Sequence, residues 1–337
     1  MTGPRLGFFS RLLEDAPAAS RYRFALEQIE AADRAGFVSA WVAQHHFGRD
    51  EGGLPSPFVL LAAAAERTRT IRLGTAVLTL PIDDPLRAAE DASVLDAMSG
   101  GRVELGVAPG GTPGSFAAFG RAADERAQIF AEHLGVFRDA LAGRGIRGTE
   151  SRIYPAAAGL AARVWQATFG QAGAERAAAA GDGLMLSRTQ QKPNGMALHE
   201  AQLPLIAAYR RALPDGSAPR VLASRTAVVV DSDADRTRLL EASRPALERT
   251  ARTTVRIDPH GLGLDELARA TDTHVGTIDE VADSLSRDLV LAEATDVSFQ
   301  VHSLAAGHET TLRSIELLAT QVAPRIGCAL TGAGPAT

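Results

Sequence analysis

His45 and His46 stand side by side where an apolar run, Val38–Ala43, gives way to a loop. A histidine at the end of a strand suits general acid–base work, because its unperturbed pKa lies near working pH. A hydrogen-bonded structural histidine fits the same place, and position alone divides the two readings evenly. Side chains alternate along a strand, so only one of the pair is expected to face a site at the strand end. Leu73–Pro81 places small residues around Ala76, which would let a planar ligand approach the backbone, although tight barrel packing is the stronger reading of these residues alone.

Two glycine-containing turns follow. Gly106–Gly114 has neither the spacing of a dinucleotide fingerprint nor the Gly-Lys-Ser/Thr of a P-loop, and reads as a turn around a ligand edge. Thr168–Gly173 joins a strand to a helix, where free backbone N–H groups and the helix dipole favour a phosphate monoester. An ordinary strand–helix turn is the alternative. Neither His-Glu-x-x-His nor Gly-x-Ser-x-Gly occurs, so metalloprotease and hydrolase readings have no anchor. His199–Glu200 falls on a helix read as solvated.

These residues need elements to hold them. Apolar runs at Arg5–Ser10, Val38–Ala43, Ile71–Leu80, Val103–Ala108, Val164–Thr168, Gly183–Leu186, Val221–Val230 and Asp296–Val301 read as strands. Helical patterns separate them, among them Tyr22–Ala35, Leu86–Met98, Asp124–Leu141, Gln171–Ala180, Met196–Leu213, Asp279–Glu293 and Glu309–Ala323. Strict alternation over eight units favours a parallel (β/α)8 barrel over an open doubly wound sheet, and a barrel carries its site at the C-terminal ends of its strands. One domain is expected over 1–330. Asp231–Gly276, between the seventh and eighth strands, is longer than a connection requires and is expected to form a mobile lid. A frayed tail is expected over 331–337.

Composition narrows the class. With 337 residues, 45% apolar and 22% charged, the chain can bury a full core without staples. Cys328 is its single cysteine, so neither an internal disulfide nor a cysteine metal site is possible. A net charge of −5 argues against a nucleic-acid partner. Among 35 basic residues only Lys192 is a lysine, so an arginine carries less information here than usual. No stretch reads as a signal peptide or spanning helix, and a soluble, cytoplasmic protein is expected.

The chain resembles the bacterial luciferase family, in its FMN-linked branch, from Leu6 to about Ile326. Trp41–Phe47 carries the resemblance most strongly, with Leu73–Pro81 and Pro85, then Glu90–Gly106. Phe119–Gly120, Ala162–Ser187 and Val275–Thr277 follow in order. The family implies reduced FMN at the barrel mouth, reacting with O2 to a C4a-hydroperoxide that oxidises a small organic substrate. His45 matches its catalytic histidine, a general base or proton shuttle near the isoalloxazine. Ala76 and Val77 match its non-prolyl cis peptide against the flavin. Phe169, Gly170 and Gly173 would offer backbone to the phosphate, and Arg126 matches a phosphate-clamping arginine. Ser187 and Arg188 fall where the family lines the flavin's outer face.

Departures accompany these matches. Gln44 stands where the luciferase α chain has an acid, Ala108 replaces its reactive cysteine beside the flavin, and Pro109 the arginine after it. Gly170 and Gly173 replace a phosphate-binding serine and threonine. Their loss argues against tight FMN retention and against light emission from a long-chain aldehyde. With no nicotinamide fingerprint in the chain, a separate flavin reductase is expected to supply the reduced cofactor. A homodimer through the early helices is implied, with Gln44 near its interface. A deazaflavin F420-dependent oxidoreductase is the competing enzyme, and a non-catalytic partner subunit the competing non-enzyme; retention of His45 counts against the latter.

Overall fold

The computed structural model describes residues 3–48, 52–157, 159–192, 195–301 and 304–331. Residues 332–337 of the expected frayed tail lie outside them. Nine strands occur among the described residues: β1 (Arg5–Ser10), β2 (Ser39–Val42), β3 (Arg72–Thr79), β4 (Val103–Ala108), β5 (Val164–Ala167), β6 (Gly183–Leu186), β7 (Val221–Val229), β8 (Thr273–Gly276) and β9 (Asp296–Gln300).

Period-two patterning decides what each strand puts where. Leu6 and Phe8 of β1, Ala40 and Val42 of β2, and Val297 and Phe299 of β9 join the main core that packs on the helices. Their alternates face the other way. Phe9, Trp41, Ala43, Trp165, Met185 and Leu222 form a separate apolar cluster inside the ring of strands. Trp41 and Trp165 meet edge to face there, with ring centroids 5.9 Å apart. Gly74 makes room for Trp41, since a Cβ on it would come within 2.2 Å of the indole.

All strand pairs are parallel, and β6 pairs with β7 as well as β5, so the ring β1–β2–β3–β4–β5–β6–β7–β9 closes on itself. The fold is the eight-stranded α/β barrel expected, and the open sheet is excluded. Strand β8 stands outside the ring, paired to the last residues of β7 after β9 has left it. No helix among the described residues is long and apolar enough to cross a membrane.

The segment expected as a lid is a helix Asp233–Thr250, a π turn Ala251–Val255, a helix Leu264–Ala270 and β8. Leu239, Leu240, Leu247 and Ala251 bury into the main core. Lys192 pairs with Asp272, tying this segment to the loop after β6. The helix expected over Asp279–Glu293 is broken into Ile278–Ser286 and Leu289–Glu293. Asp288 interrupts it, capping the second piece at Val290 N–H while its carboxylate pairs with the fully buried Arg225 of β7.

Candidate functional site

A cavity of ≈ 580 Å³ opens at the C-terminal ends of the barrel strands, a volume in the range of cofactor and substrate sites. Phe9, Ala43, Ala76, Val77, Ala108, Met185 and Leu222 give it apolar walls. The bond Ala76–Val77 is cis, and the register between β3 and β4 shifts across it, between Thr75 and Leu78. Of the residues singled out from the sequence, His45, Ala76, Val77, Ala108, Arg126, Phe169, Gly173, Ser187 and Arg188 line this one cavity, and Gly170 does not.

Both histidines line it, contrary to the expectation that only one could. The reason is local: β2 ends at Val42, so residues 45 and 46 lie in the loop, where strand alternation no longer applies. Burial pushes the His45 imidazole down to about 3, and the charges of Arg11, His46 and Arg188 push the same way. It is therefore neutral at working pH and, at that depressed value, a weak proton acceptor. His46 is also lowered by burial, with Asp83 opposing, and its ring meets Phe119 edge to face at 4.9 Å.

Gln44 is buried in the cavity wall and not placed at an outer face of the chain. Its Oε1 accepts the N–H of Thr79 at 2.7 Å and its Nε2 donates to Asp83 at 2.9 Å. It thus fixes the end of β3, the strand that carries Ala76 and Val77.

On the β4 and β5 side, the turn Thr168–Gly173 leads into the helix Gln171–Ala179. The Gly170 carbonyl accepts from Gly173 and Ala174, and the Gly170 N–H donates to Thr168 Oγ1 at 3.1 Å. The amides of Gln171 and Ala172 are left at the helix N-terminus, where no intrahelical acceptor exists. Arg126 borders the cavity from the start of the helix Arg126–Leu141. Arg176 borders it too, held by Gln166 Oε1 at 2.9 Å and over Phe130 at 5.0 Å. Sequence reading missed Arg176, although its place one turn after Gly173 on the same helix face was legible.

The opposite side was also missed. Strands β7 and β9 pair Ser224 with Ser298 and Thr226 with Gln300, giving two polar rungs. Arg188 turns inward onto the upper rung, donating to Gln300 Oε1 and to Thr226 Oγ1. Ser224 and Ser298 line the cavity, and their hydroxyls, like Gln300 Nε2, are buried without a partner among the described residues.

Comparison with known proteins gives the family and the fold. Residues 7–298 match the family model of luciferase-like monooxygenases. A 4-hydroxyprotoasukamycin monooxygenase from Streptomyces nodosus subsp. asukaensis is 39% identical over 131 residues, 39% of this chain and 35% of that one, so the chain spans about a third of that relative. The monooxygenase RslO1 from Streptomyces bottropensis superposes with a TM-score of 0.78 and 27% identity, over 95% of this chain and 99% of that one. The FMN complex of the oxygenating constituent of 3,6-diketocamphane monooxygenase from Pseudomonas putida shares the fold at 18% identity, with a TM-score of 0.77 over 98% and 100% of the two chains. An F420-dependent secondary alcohol dehydrogenase shares it too, at 18% identity, with a TM-score of 0.70 over 97% and 99%.

Proposed function

The chain belongs to the luciferase-like monooxygenase family, and from that premise we propose that it is the oxygenase component of a two-component system, taking reduced FMN from a separate flavin reductase and using O2 to oxidise a small organic substrate. The observation that carries this reading is one cavity with apolar walls, a neutral histidine, and two arginines beside a helix N-terminus.

The residues present fit such a cofactor. A planar ring would lie against Ala76, Val77 and Ala108, where the side chains are small enough for close approach. A phosphate would sit by the helix Gln171–Ala179, with Phe169, Gly170 and Gly173 shaping the turn and Arg126 and Arg176 supplying charge. Reduced flavin, when bound, supplies the electrons that activate O2. His45 would accept a proton at its imidazole from substrate or cofactor, and Gln44 would keep the β3 wall in place. Ser187 would border the ring from the β6 side. A homodimer fits the exposed Val59, Val94 and Met98 on the helices Pro57–Arg67 and Pro85–Met98.

Stopped-flow mixing of the protein–FMNH2 complex with O2 tests this reading. We expect flavin reoxidation on a time course distinct from that of free FMNH2, and altered again in His45→Ala. Reoxidation identical to free flavin would reject it, and tight binding of F420 without FMN would move the reaction to hydride transfer. Equal behaviour of His45→Ala and the parent would favour a flavin-binding partner subunit.

A further inference from the structure

The upper rung of the β7–β9 strip holds a cation with no counter-charge. Arg188 is held by two neutral oxygens, those of Gln300 and Thr226, and no carboxylate pairs with it among the described residues. Burial, then the charge of Arg11, pushes the guanidinium down to about 9. The side chain is half-buried and borders the cavity, and there a charge without a counter-ion and buried donors without acceptors are both unfavourable. Three such donors stand next to it. Ser298 and Gln300 are almost wholly buried, and Ser298 Oγ, Ser224 Oγ and Gln300 Nε2 have no partner among the described residues.

Ordered water could satisfy the hydroxyls, but it would leave the charge uncompensated. A carboxylate meets both needs: it neutralises the guanidinium and its oxygens accept from the surrounding donors. The phosphate-type features of the cavity lie elsewhere, at Arg126, Arg176 and the Thr168–Gly173 turn, so the strip is not needed for that group. We propose that Arg188, Ser224 and Ser298 form a subsite for a carboxylate on the organic substrate, with Gln300 holding Arg188 from behind, making this a monooxygenase of small organic acids. The substrate role rests on the flavin reading above; the anion site itself does not. An anion seated there also offsets the positive field on His45, to which Arg188 contributes, so substrate arrival would make that histidine a stronger base.

Acetate and benzoate, each against its neutral amide, provide the probes. Thermal shift and calorimetry on the protein with and without FMN are expected to show the carboxylates binding at least tenfold more tightly than acetamide and benzamide. Arg188→Met should abolish that preference, Ser298→Ala should weaken it severalfold, and FMN affinity in Ser298→Ala should change by less than about threefold. Acids and amides binding alike, or a preference unchanged in Arg188→Met, would overturn the proposal. So would competition between benzoate and FMN, which would give the strip to the cofactor. Carboxylate selectivity in a protein that binds no FMN would keep the anion site and reject the flavin reading.

Discussion

Gln44 and Asp83 meet side chain to side chain in the cavity wall, amide to carboxylate, at 2.9 Å. The other end of the same amide accepts the Thr79 N–H, so one buried residue joins the loop after β2, the end of β3 and the turn beyond it. Removing it strands two partners at once. We expect Gln44→Leu to lower unfolding free energy by about 1–3 kcal/mol, the cost of leaving such groups unsatisfied, and to weaken flavin binding as β3 loosens. Urea denaturation and FMN titration check both.

Gln44→Glu asks a sharper question. Burial already raises Asp83 above the usual carboxylate range. A second carboxylate at Gln44 would raise the pair further, because two adjacent carboxyls cannot both ionise cheaply. Groups whose folded pKa is raised hold their stabilisation at low pH and lose it as pH rises through that pKa. The variant should therefore be most stable in mild acid and lose stability toward neutral pH, relative to the parent. A constant difference in melting temperature from pH 5 to 8 would contradict this.

Gly173 is built into the turn by a close approach. A Cβ there would come within 2.0 Å of Thr168 Oγ1, so Gly173→Ala must displace the hydroxyl that bonds the Gly170 N–H and carbonyl. Overpacking of this kind costs about 1–3 kcal/mol. Because the distortion falls at the expected phosphate end, FMN affinity should drop at least tenfold while riboflavin affinity changes little. Arg126→Ala and Arg176→Ala should narrow the same FMN-to-riboflavin ratio without a comparable loss of stability.

Much of this architecture was legible from residue order. Leu6, Phe8 and Phe9 form one short apolar run, and runs of this kind between helical stretches place every barrel strand. His45, Ala76, Val77 and Arg126 were legible through the family resemblance, and the structure gathers them at one cavity. What escaped depends on pairing across long separations. Arg188 meets Gln300 across 112 positions, and Arg225 meets Asp288 across 63; neither separation leaves a local signature. Strand β8, Thr-His-Val-Gly, lacks the apolar run that marked the equally short β2, β5 and β6. The helix Asp233–Thr250 was masked in the sequence by its charges and an internal Pro245.

Arg225 and Asp288 give a direct stability measurement. The arginine is fully buried on β7, and its pull holds the Asp288 carboxyl below its usual range despite burial. Breaking a buried pair by removing one partner costs about 3–5 kcal/mol, chiefly through the charge left behind. Asp288→Ala also removes the cap on Leu289–Glu293. We expect it to destabilise strongly, and a double replacement by apolar residues to recover much of the loss. A single variant within 1 kcal/mol of the parent, a roughly fivefold change in the folding constant, would show that the pair contributes little.

Three histidines are depressed, His46 among them, and the two with the largest shifts, His274 and His45, set the acid limit of the fold. Burial holds His274 down at about 4, with Arg225 and Arg287 adding to the effect and Asp288 opposing it, and His45 at about 3. In the unfolded chain both return to about 6.5. Below that value the unfolded state binds protons that the folded state refuses, so stability is full above pH 6.5 and falls as pH drops toward 4 and then 3. Asp83 and Asp182, raised by burial, act in the opposite sense near the lower end of this window, which is why the comparison must be made with single histidine variants. His274→Asn, which can keep a hydrogen bond to Ser284 Oγ, should flatten the profile between pH 6.5 and 4. His45→Asn should flatten it further down, toward pH 3, and should also remove the proton acceptor, slowing turnover by about a hundredfold or more. A parent melting temperature that is constant from pH 7 to 4 would mean that both rings take up protons in the folded state, and the neutral His45 required of a base would be lost with it.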